Sequence, residues 1–200
     1  MIITYVCDNS LYINVTNRCT NSCDFCVRDH GDELYGNLWL DREPTVNEIN
    51  EAIDLALAEG KDKYKEIVFC GYGEPTVRLY DIFEVCRHIR SVSSLPIRMN
   101  TNGQANHIWE SDVTPEFKGH FETVSVSLNS PYADEYQKVC HSVYGEEAHA
   151  SLLDFASKLK NYVPNVLFSV VRDSIPDADI DKAAELAESL GVKLRVREML

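Results

Sequence analysis

Residues 11–26 read LYINVTNRCTNSCDFC, a short β-rich stretch followed directly by three cysteines within eight residues. A similar order, an apolar strand and then a polar or glycine-rich turn, recurs twice downstream. EIVFC at 66–70 precedes GYGEP, and PIRMN at 96–100 precedes TNG. The carboxyl ends of parallel strands meet at one edge of a sheet, so the cysteine loop and both turns are expected to share that edge.

Strands alternate with helical patterns along the chain, which indicates βαβ units and a parallel sheet. The predicted strands are 11–15, 66–70, 96–100, 123–128, 166–171 and 193–196. The predicted helices are one opened by Pro44-Thr45 and ended by Gly60, then 79–92, a short one within 104–118, 132–140, 146–161 and 177–190. A full eight-unit barrel is typically ~250 residues. Six units in 200 residues therefore suit a partial barrel or an open doubly wound sheet.

We expect the α/β class in the form of a partial, side-open (β/α)6 TIM-like barrel with mostly parallel strands. Residues 2–7 and 11–15 flank the turn-like Asp8-Asn9-Ser10 and predict an N-terminal hairpin. No linker or low-complexity segment interrupts the pattern, so residues 1–200 are predicted to form one domain.

The composition excludes several classes of protein. Nineteen Lys and Arg against 32 Asp and Glu give a net charge of −13. This charge argues against sequence-independent binding to the phosphate backbone of nucleic acids. No apolar run approaches the ~20 residues of a membrane span, and no signal peptide is recognisable. The seven cysteines are odd in number and mostly scattered, which argues against a secreted disulfide scaffold and for a reducing cytoplasm.

The cysteine triplet Cys19, Cys23 and Cys26 has the close spacing of a metal or cluster site. Thiolates suit zinc or an iron–sulfur cluster. Zinc normally takes four ligands, and His30 is the nearest candidate for the fourth. A four-iron cluster on three thiolates instead leaves one iron open to another ligand, and the adjacent Phe25 adds an aromatic face for a planar group. The remaining cysteines form no second close set, so no auxiliary cluster is predicted, and Cys86 is expected in the core.

The pattern Cys-x3-Cys-x-aromatic-Cys after the first parallel strand resembles the signature of the radical S-adenosylmethionine (SAM) superfamily. Gly71-Tyr72-Gly73-Glu74-Pro75 resembles that superfamily's Gly-Glu-Pro turn, and the likeness extends from about Leu11 to Arg197. Within the superfamily, the opening residues and GNLWLDREPT at 36–45 look most like the TatD-associated radical SAM subfamily.

The resemblance implies a division of labour between cofactors and protein. Cys19, Cys23 and Cys26 would hold a [4Fe–4S] cluster whose open iron is chelated by the amino and carboxylate groups of SAM. One-electron reduction then gives methionine and a 5′-deoxyadenosyl radical that abstracts hydrogen. The protein's remaining task is to position both cofactors.

Individual side chains are assigned to the cofactor by matching motif positions. Phe25 would pack near the adenine, and Tyr72, Gly73 and Glu74 would meet the methionine amino group. Asn100, Ser127 and Asn129 match positions where related activating enzymes often carry charged residues contacting SAM. These assignments compete with turn chemistry for the glycines and with structural hydrogen bonding for the polar residues.

Arg197 is also assigned to the cofactor site. It shares one face of the last predicted strand with Lys193 and Arg195, and three cations there could meet a carboxylate or phosphate. The alternative is a charged edge strand that discourages aggregation.

The expected function is a radical SAM enzyme acting on an unidentified substrate. Activation of a glycyl-radical enzyme and modification of a nucleotide are the alternatives within the superfamily. A non-catalytic zinc or iron–sulfur adaptor is the alternative of another class. Expected partners are a reductant such as flavodoxin or ferredoxin and a TatD-type hydrolase, with no membrane partner.

Overall fold

Seven strands form one sheet in the computed structural model, which describes residues 1–29, 36–172 and 174–198. The strands lie side by side in chain order. They are β1 (Thr4–Cys7), β2 (Ser10–Ile13), β3 (Glu66–Phe69), β4 (Ile97–Thr101), β5 (Thr123–Ser127), β6 (Asn165–Val171) and β7 (Lys193–Arg197). A doubly wound sheet reverses its strand order at a switch point. This sheet does not reverse, which confirms the partial, side-open barrel.

The predicted N-terminal hairpin is present. β1 pairs antiparallel with β2, and Cys7 lies opposite Ser10. The two residues of the turn, Asp8 and Asn9, have φ of 47° and 58°, the left-handed backbone of a tight two-residue hairpin. Every other neighbouring pair, from β2–β3 to β6–β7, is parallel.

Within the described part of the chain, six α-helices connect the parallel strands. They are α1 (Val46–Ala58), α2 (Leu79–Val92), α3 (Ala105–Ile108), α4 (Ala133–Cys140), α5 (Glu147–Leu159) and α6 (Asp177–Ser189). The crossover from β4 to β5 contains only the four-residue α3 and a short 3-10 turn, Thr114–Phe117. No described helix has the length and apolar character needed to cross a bilayer.

Local signals in the sequence explain where the helices begin and which face they bury. Thr45 caps α1 in a capping box, because its hydroxyl accepts the Glu48 amide while the Glu48 carboxylate accepts the Thr45 amide. Ile49, Ile53 and Leu57 then point into the core. On α2, Cys86 is fully buried, which confirms its predicted place in the core.

The two faces of the sheet differ in polarity. Apolar residues such as Phe69, Met99 and Val126 form the core, and the alternate residues face the inside of the barrel. There, near the amino ends of the strands, Arg98 pairs with Glu66 at 2.9 Å and also contacts the Tyr12 hydroxyl at 3.3 Å. This ion pair fills the barrel below the edge where the strands' carboxyl ends meet.

Candidate active site

A cavity of about 560 Å³ opens at the carboxyl ends of the strands. The loops after β2, β3, β4 and β5 line it, together with the end of β7. All eleven residues predicted for the site line this one cavity: Cys19, Cys23, Phe25, Cys26, Tyr72, Gly73, Glu74, Asn100, Ser127, Asn129 and Arg197. The topology thus brings together residues from the two ends of the sequence, from Cys19 to Arg197.

Sequence reasoning did not assign several further lining residues. They are Asn21, Asp24, Val27, Cys70, Gly71, Pro75, Thr101, Asn102, Val171 and Glu198. Thr101 and Asn102 belong to the TNG turn, whose place after a strand was the available signal. His30, the candidate fourth zinc ligand, lies outside the described residues.

The cysteine loop carries three half-buried cysteines that form no disulfide. It is held in place by backbone hydrogen bonds to the end of α4: the Ser22 amide donates to the Cys140 carbonyl and the Asp24 amide to the Val139 carbonyl, both at 3.0 Å. These bonds attach the loop to a rigid helix. The position of the loop that carries the thiols is therefore set by hydrogen bonds within the chain.

Gln104 is the centre of a buried hydrogen-bond network beneath the cysteine loop. Its amide nitrogen donates to Asn21 Oδ1 at 2.9 Å and to the Tyr136 hydroxyl at 3.0 Å. Its amide oxygen accepts from the hydroxyls of Thr20 at 2.6 Å and Ser142 at 3.2 Å. Gln104 is fully buried, and a satisfied network of this kind fixes one geometry of the loop.

Gly73 allows the GYGEP turn to lie directly on the cysteine loop. A Cβ at this position would sit 2.3 Å from the Thr16 carbonyl oxygen and 2.7 Å from that of Arg18. The Glu74 amide donates to the same Arg18 carbonyl at 2.8 Å. Glycine is therefore required here by close backbone approach.

The Glu74 carboxylate ties the turn after β3 to the turn after β4. Its Oε1 accepts from the Thr76 amide at 3.0 Å and from the Thr76 and Thr101 hydroxyls at 2.7 Å. Its Oε2 accepts from the Asn102 amide at 2.7 Å. Burial raises the pKa of Glu74, and the four donors act in the opposite direction. With 3% of its surface exposed, Glu74 is not a solvated turn carboxylate.

Replacing Glu74 by alanine is expected to lower the free energy of unfolding by about 3 kcal/mol, since two buried amides lose their acceptor at roughly 1–3 kcal/mol each. It should also weaken SAM binding more than cluster assembly. The check is a denaturation series together with SAM titration of the cluster-loaded variant. Glu84→Ala, on the exposed face of α2, is the matched control. A variant with wild-type SAM affinity would remove Glu74 from the cofactor site.

Two aromatic and two polar residues of the prediction occupy different parts of the cavity wall. Tyr72 is buried and packs edge-on against Trp39, with ring centroids 5.4 Å apart. Phe25 packs against the core from the cysteine loop. Asn100 accepts a hydrogen bond from the guanidinium of Arg98 at 2.5 Å, which directs its amide oxygen toward the barrel interior. Ser127 lies at the end of β5.

Two of the three thiols, those of Cys19 and Cys23, have raised pKa values. Burial raises the pKa of Cys19 to about 12. A hydrogen bond with the Cys140 thiol, together with burial, raises the pKa of Cys23. A metal or cluster must therefore displace these protons when it binds.

The donor set fits an iron–sulfur cluster better than a single ion. Within residues 1–29, 36–172 and 174–198, no three His, Cys, Asp or Glu side chains converge as ligands of one metal ion. Three soft thiol ligands on one loop instead suit a multinuclear cluster. Two buried polar atoms of the cavity wall, Asn129 Oδ1 and Arg197 Nε, have no hydrogen-bond partner among the described residues, so the wall can bind a polar ligand beside the thiols.

Comparison with known proteins identifies the family. The model of the Radical SAM superfamily matches residues 13–187. The chain belongs to the Radical SAM superfamily. Enzymes of this superfamily use a [4Fe–4S] cluster and SAM, and these are the cofactors of this chain.

Relatives share the fold over nearly the whole chain. The probable GTP 3′,8-cyclase of Methanothermobacter marburgensis is 27% identical over 191 residues, which cover 96% of this chain and 57% of the relative. A radical SAM methyltransferase from Sphaerobacter thermophilus superposes with a TM-score of 0.69 at 17% identity, covering 98% of this chain and 57% of the other.

A third relative was solved with SAM bound. Streptococcus suis SuiB bound to SAM superposes with a TM-score of 0.67 at 14% identity, covering 96% of this chain and 42% of SuiB. Across these three comparisons the chain spans 42–57% of the relative's length. The shared part is the radical SAM core.

Proposed function

We propose that this radical SAM protein binds a [4Fe–4S] cluster through Cys19, Cys23 and Cys26 and cleaves SAM reductively to abstract hydrogen from a small substrate. One observation carries the proposal: the three cysteine thiols, the GYGEP turn and two buried polar atoms without a partner among the described residues line the same cavity. When bound, the cluster and SAM supply a 5′-deoxyadenosyl radical as the hydrogen-abstracting species.

The protein's own residues position the cofactors and shield them. Gly73 lets the turn approach the cysteine loop, and Glu74 locks that turn to the strand beside it. Oε2 of Glu74 accepts one protein hydrogen bond and can accept a second from the methionine amino group. Phe25 offers its ring to the adenine, and Asn129 Oδ1 offers a free acceptor.

Modification of a nucleotide is the second candidate for the overall reaction. The relative at 27% identity is a probable GTP 3′,8-cyclase, and the cavity contains a cation suited to an anionic substrate. Activation of a glycyl-radical enzyme would in addition need a partner protein. Membership of an enzyme superfamily disfavours the non-catalytic zinc or iron–sulfur adaptor.

We also propose an electron donor, a functional partner and a subfamily for this protein. A flavodoxin or ferredoxin would supply the electron. The resemblance to the TatD-associated subfamily suggests a TatD-type hydrolase as functional partner. The seven cysteines form no disulfide with one another, which supports a reducing compartment such as the cytoplasm.

The proposal is tested by incubating anaerobically reconstituted protein with SAM and dithionite. We expect 5′-deoxyadenosine and methionine in a 1:1 ratio, and neither product when dithionite is omitted. Chromatography with mass detection measures both products. Intact SAM after complete reduction of the cluster would contradict the proposed function.

A further inference from the structure

Arg197 is a partly buried cation in the cavity wall. It lies at the end of β7, opposite Val171 of β6, and lines the cavity. Its Nε is buried and finds no acceptor among the described residues. Because Lys193, Arg195 and Arg197 alternate with the partly buried Leu194 and Val196, all three cations share the inner face of the sheet.

Among the described residues, the groups with the strongest electrostatic effect on Arg197 include no carboxylate. Those that act on it most strongly are Cys70 on the β3 side, Tyr12 of β2, Arg98 of β4 and Arg195 of its own strand. Arg98 is already paired with Glu66 at 2.9 Å. Burial, more than any of these groups, lowers the pKa of Arg197.

The acidic residues that line the cavity are already engaged elsewhere. Asp24 pairs with His141 at 2.8 Å, and Glu198 pairs with Arg172 at 3.0 Å. Glu74 is held by its four donors. Among the described residues that line the cavity, Arg197 is the one Lys or Arg. Among the described residues, the Nε of this guanidinium therefore has no carboxylate partner, although burying an unpaired charge is costly.

Arg197 and the cysteine loop come from opposite ends of the row of parallel strands. The loop follows β2, whereas Arg197 ends β7, the last strand of the sheet. The carboxylate of SAM is expected at the open iron beside the cysteines of that loop.

We propose that the Arg197 guanidinium forms an anion subsite that binds a carboxylate or phosphate group of the substrate. This inference rests on the proposed function, because it names the substrate class of the same cavity. Arg197 is thereby assigned to the substrate, whereas its position in the sequence predicted a contact with the cofactor. A guanidinium presents N–H groups in a planar fork that matches either anion.

The test is calorimetric titration of the cluster-loaded protein at low ionic strength, with inorganic phosphate and acetate as probes, in the presence and absence of saturating SAM. The variant is Arg197→Gln, and Arg195→Gln, an exposed arginine on the same strand face, is the matched control. We expect Arg197→Gln to weaken binding of the better probe at least tenfold. Arg195→Gln should change it less than twofold, and SAM affinity should be unchanged in both.

Three results would overturn the subsite: equal probe binding by wild type and Arg197→Gln, a tenfold loss of SAM affinity in Arg197→Gln, or displacement of the probe by SAM. The last two would assign Arg197 to the carboxylate of the cofactor. If Arg197→Gln fails to fold, Arg197→Lys replaces it, and a several-fold weaker probe affinity is expected because the ammonium keeps the charge but loses the fork. If the protein fails to cleave SAM but still binds the probe through Arg197, the proposed function is refuted and the anion subsite is not.

Discussion

Replacing Cys23 by alanine is expected to reduce formation of 5′-deoxyadenosine to background. The thiol is the middle ligand of the proposed three-cysteine site, and a cluster left with two protein ligands is not retained in a defined form. Cys23 contacts the Cys140 carbonyl at 3.8 Å, but the loop is held by backbone bonds that alanine preserves. The apo protein should therefore lose only about 1 kcal/mol of unfolding free energy.

Cys7→Ala is the matched control for this experiment. Cys7 is also a cysteine outside any disulfide, but it lies in the N-terminal hairpin and is not among the residues that line the cavity. Its variant should bind the same amount of iron and sulfide as the wild type and cleave SAM at the same rate. Full activity in Cys23→Ala would refute the ligand assignment. Equal loss in both variants would indicate a general effect of cysteine replacement.

Replacing Gly73 by alanine is expected to lower the rate of SAM cleavage about 100-fold, because a shift near 1 Å at a reacting centre costs about that much. The added Cβ would come within 2.3 Å of a backbone oxygen in the approach to the cysteine loop, so the turn and the loop must separate. Strain of this kind typically costs 1–3 kcal/mol. Single-turnover rates and thermal denaturation measure the two effects.

Gly119→Ala is the control that distinguishes the effect of backbone strain from the effect of displacing the turn that lines the cavity. A Cβ at Gly119 would have nothing within 4 Å, although φ is +82°, so alanine costs about 1–2 kcal/mol of backbone strain. This variant should lose comparable stability and keep wild-type cleavage. A Gly73→Ala enzyme with wild-type activity would show that the close approach of turn and loop is not needed for catalysis.

The order of strands and the location of the cavity could be predicted from the sequence because their signals are local. The β-rich stretch before Cys19 and the glycines after the EIVFC strand each mark a strand end with its loop. Parallel connection then places successive loops at one edge. The left-handed turn at Asp8 and Asn9 is likewise encoded in adjacent residues.

The supporting interactions could not be predicted, because their partners are distant in the chain. Gln104 contacts Asn21 across 83 positions and Tyr136 across 32. No periodicity links such residues, and a glutamine after a TNG turn has the composition of an ordinary loop. The donors to Glu74 from Thr101 and Asn102 were missed for the same reason, since these residues lie 27 and 28 positions away at the end of the neighbouring strand. Only the folded sheet brings them together.

The most direct test of the central claim is electron paramagnetic resonance of the anaerobically reduced protein before and after addition of SAM. The account predicts ~4 iron and ~4 sulfide per chain, as expected for one [4Fe–4S] cluster, and a spectrum that changes when SAM occupies the open iron. Stoichiometric zinc in the purified protein, or a cluster spectrum that SAM leaves unchanged, would contradict it.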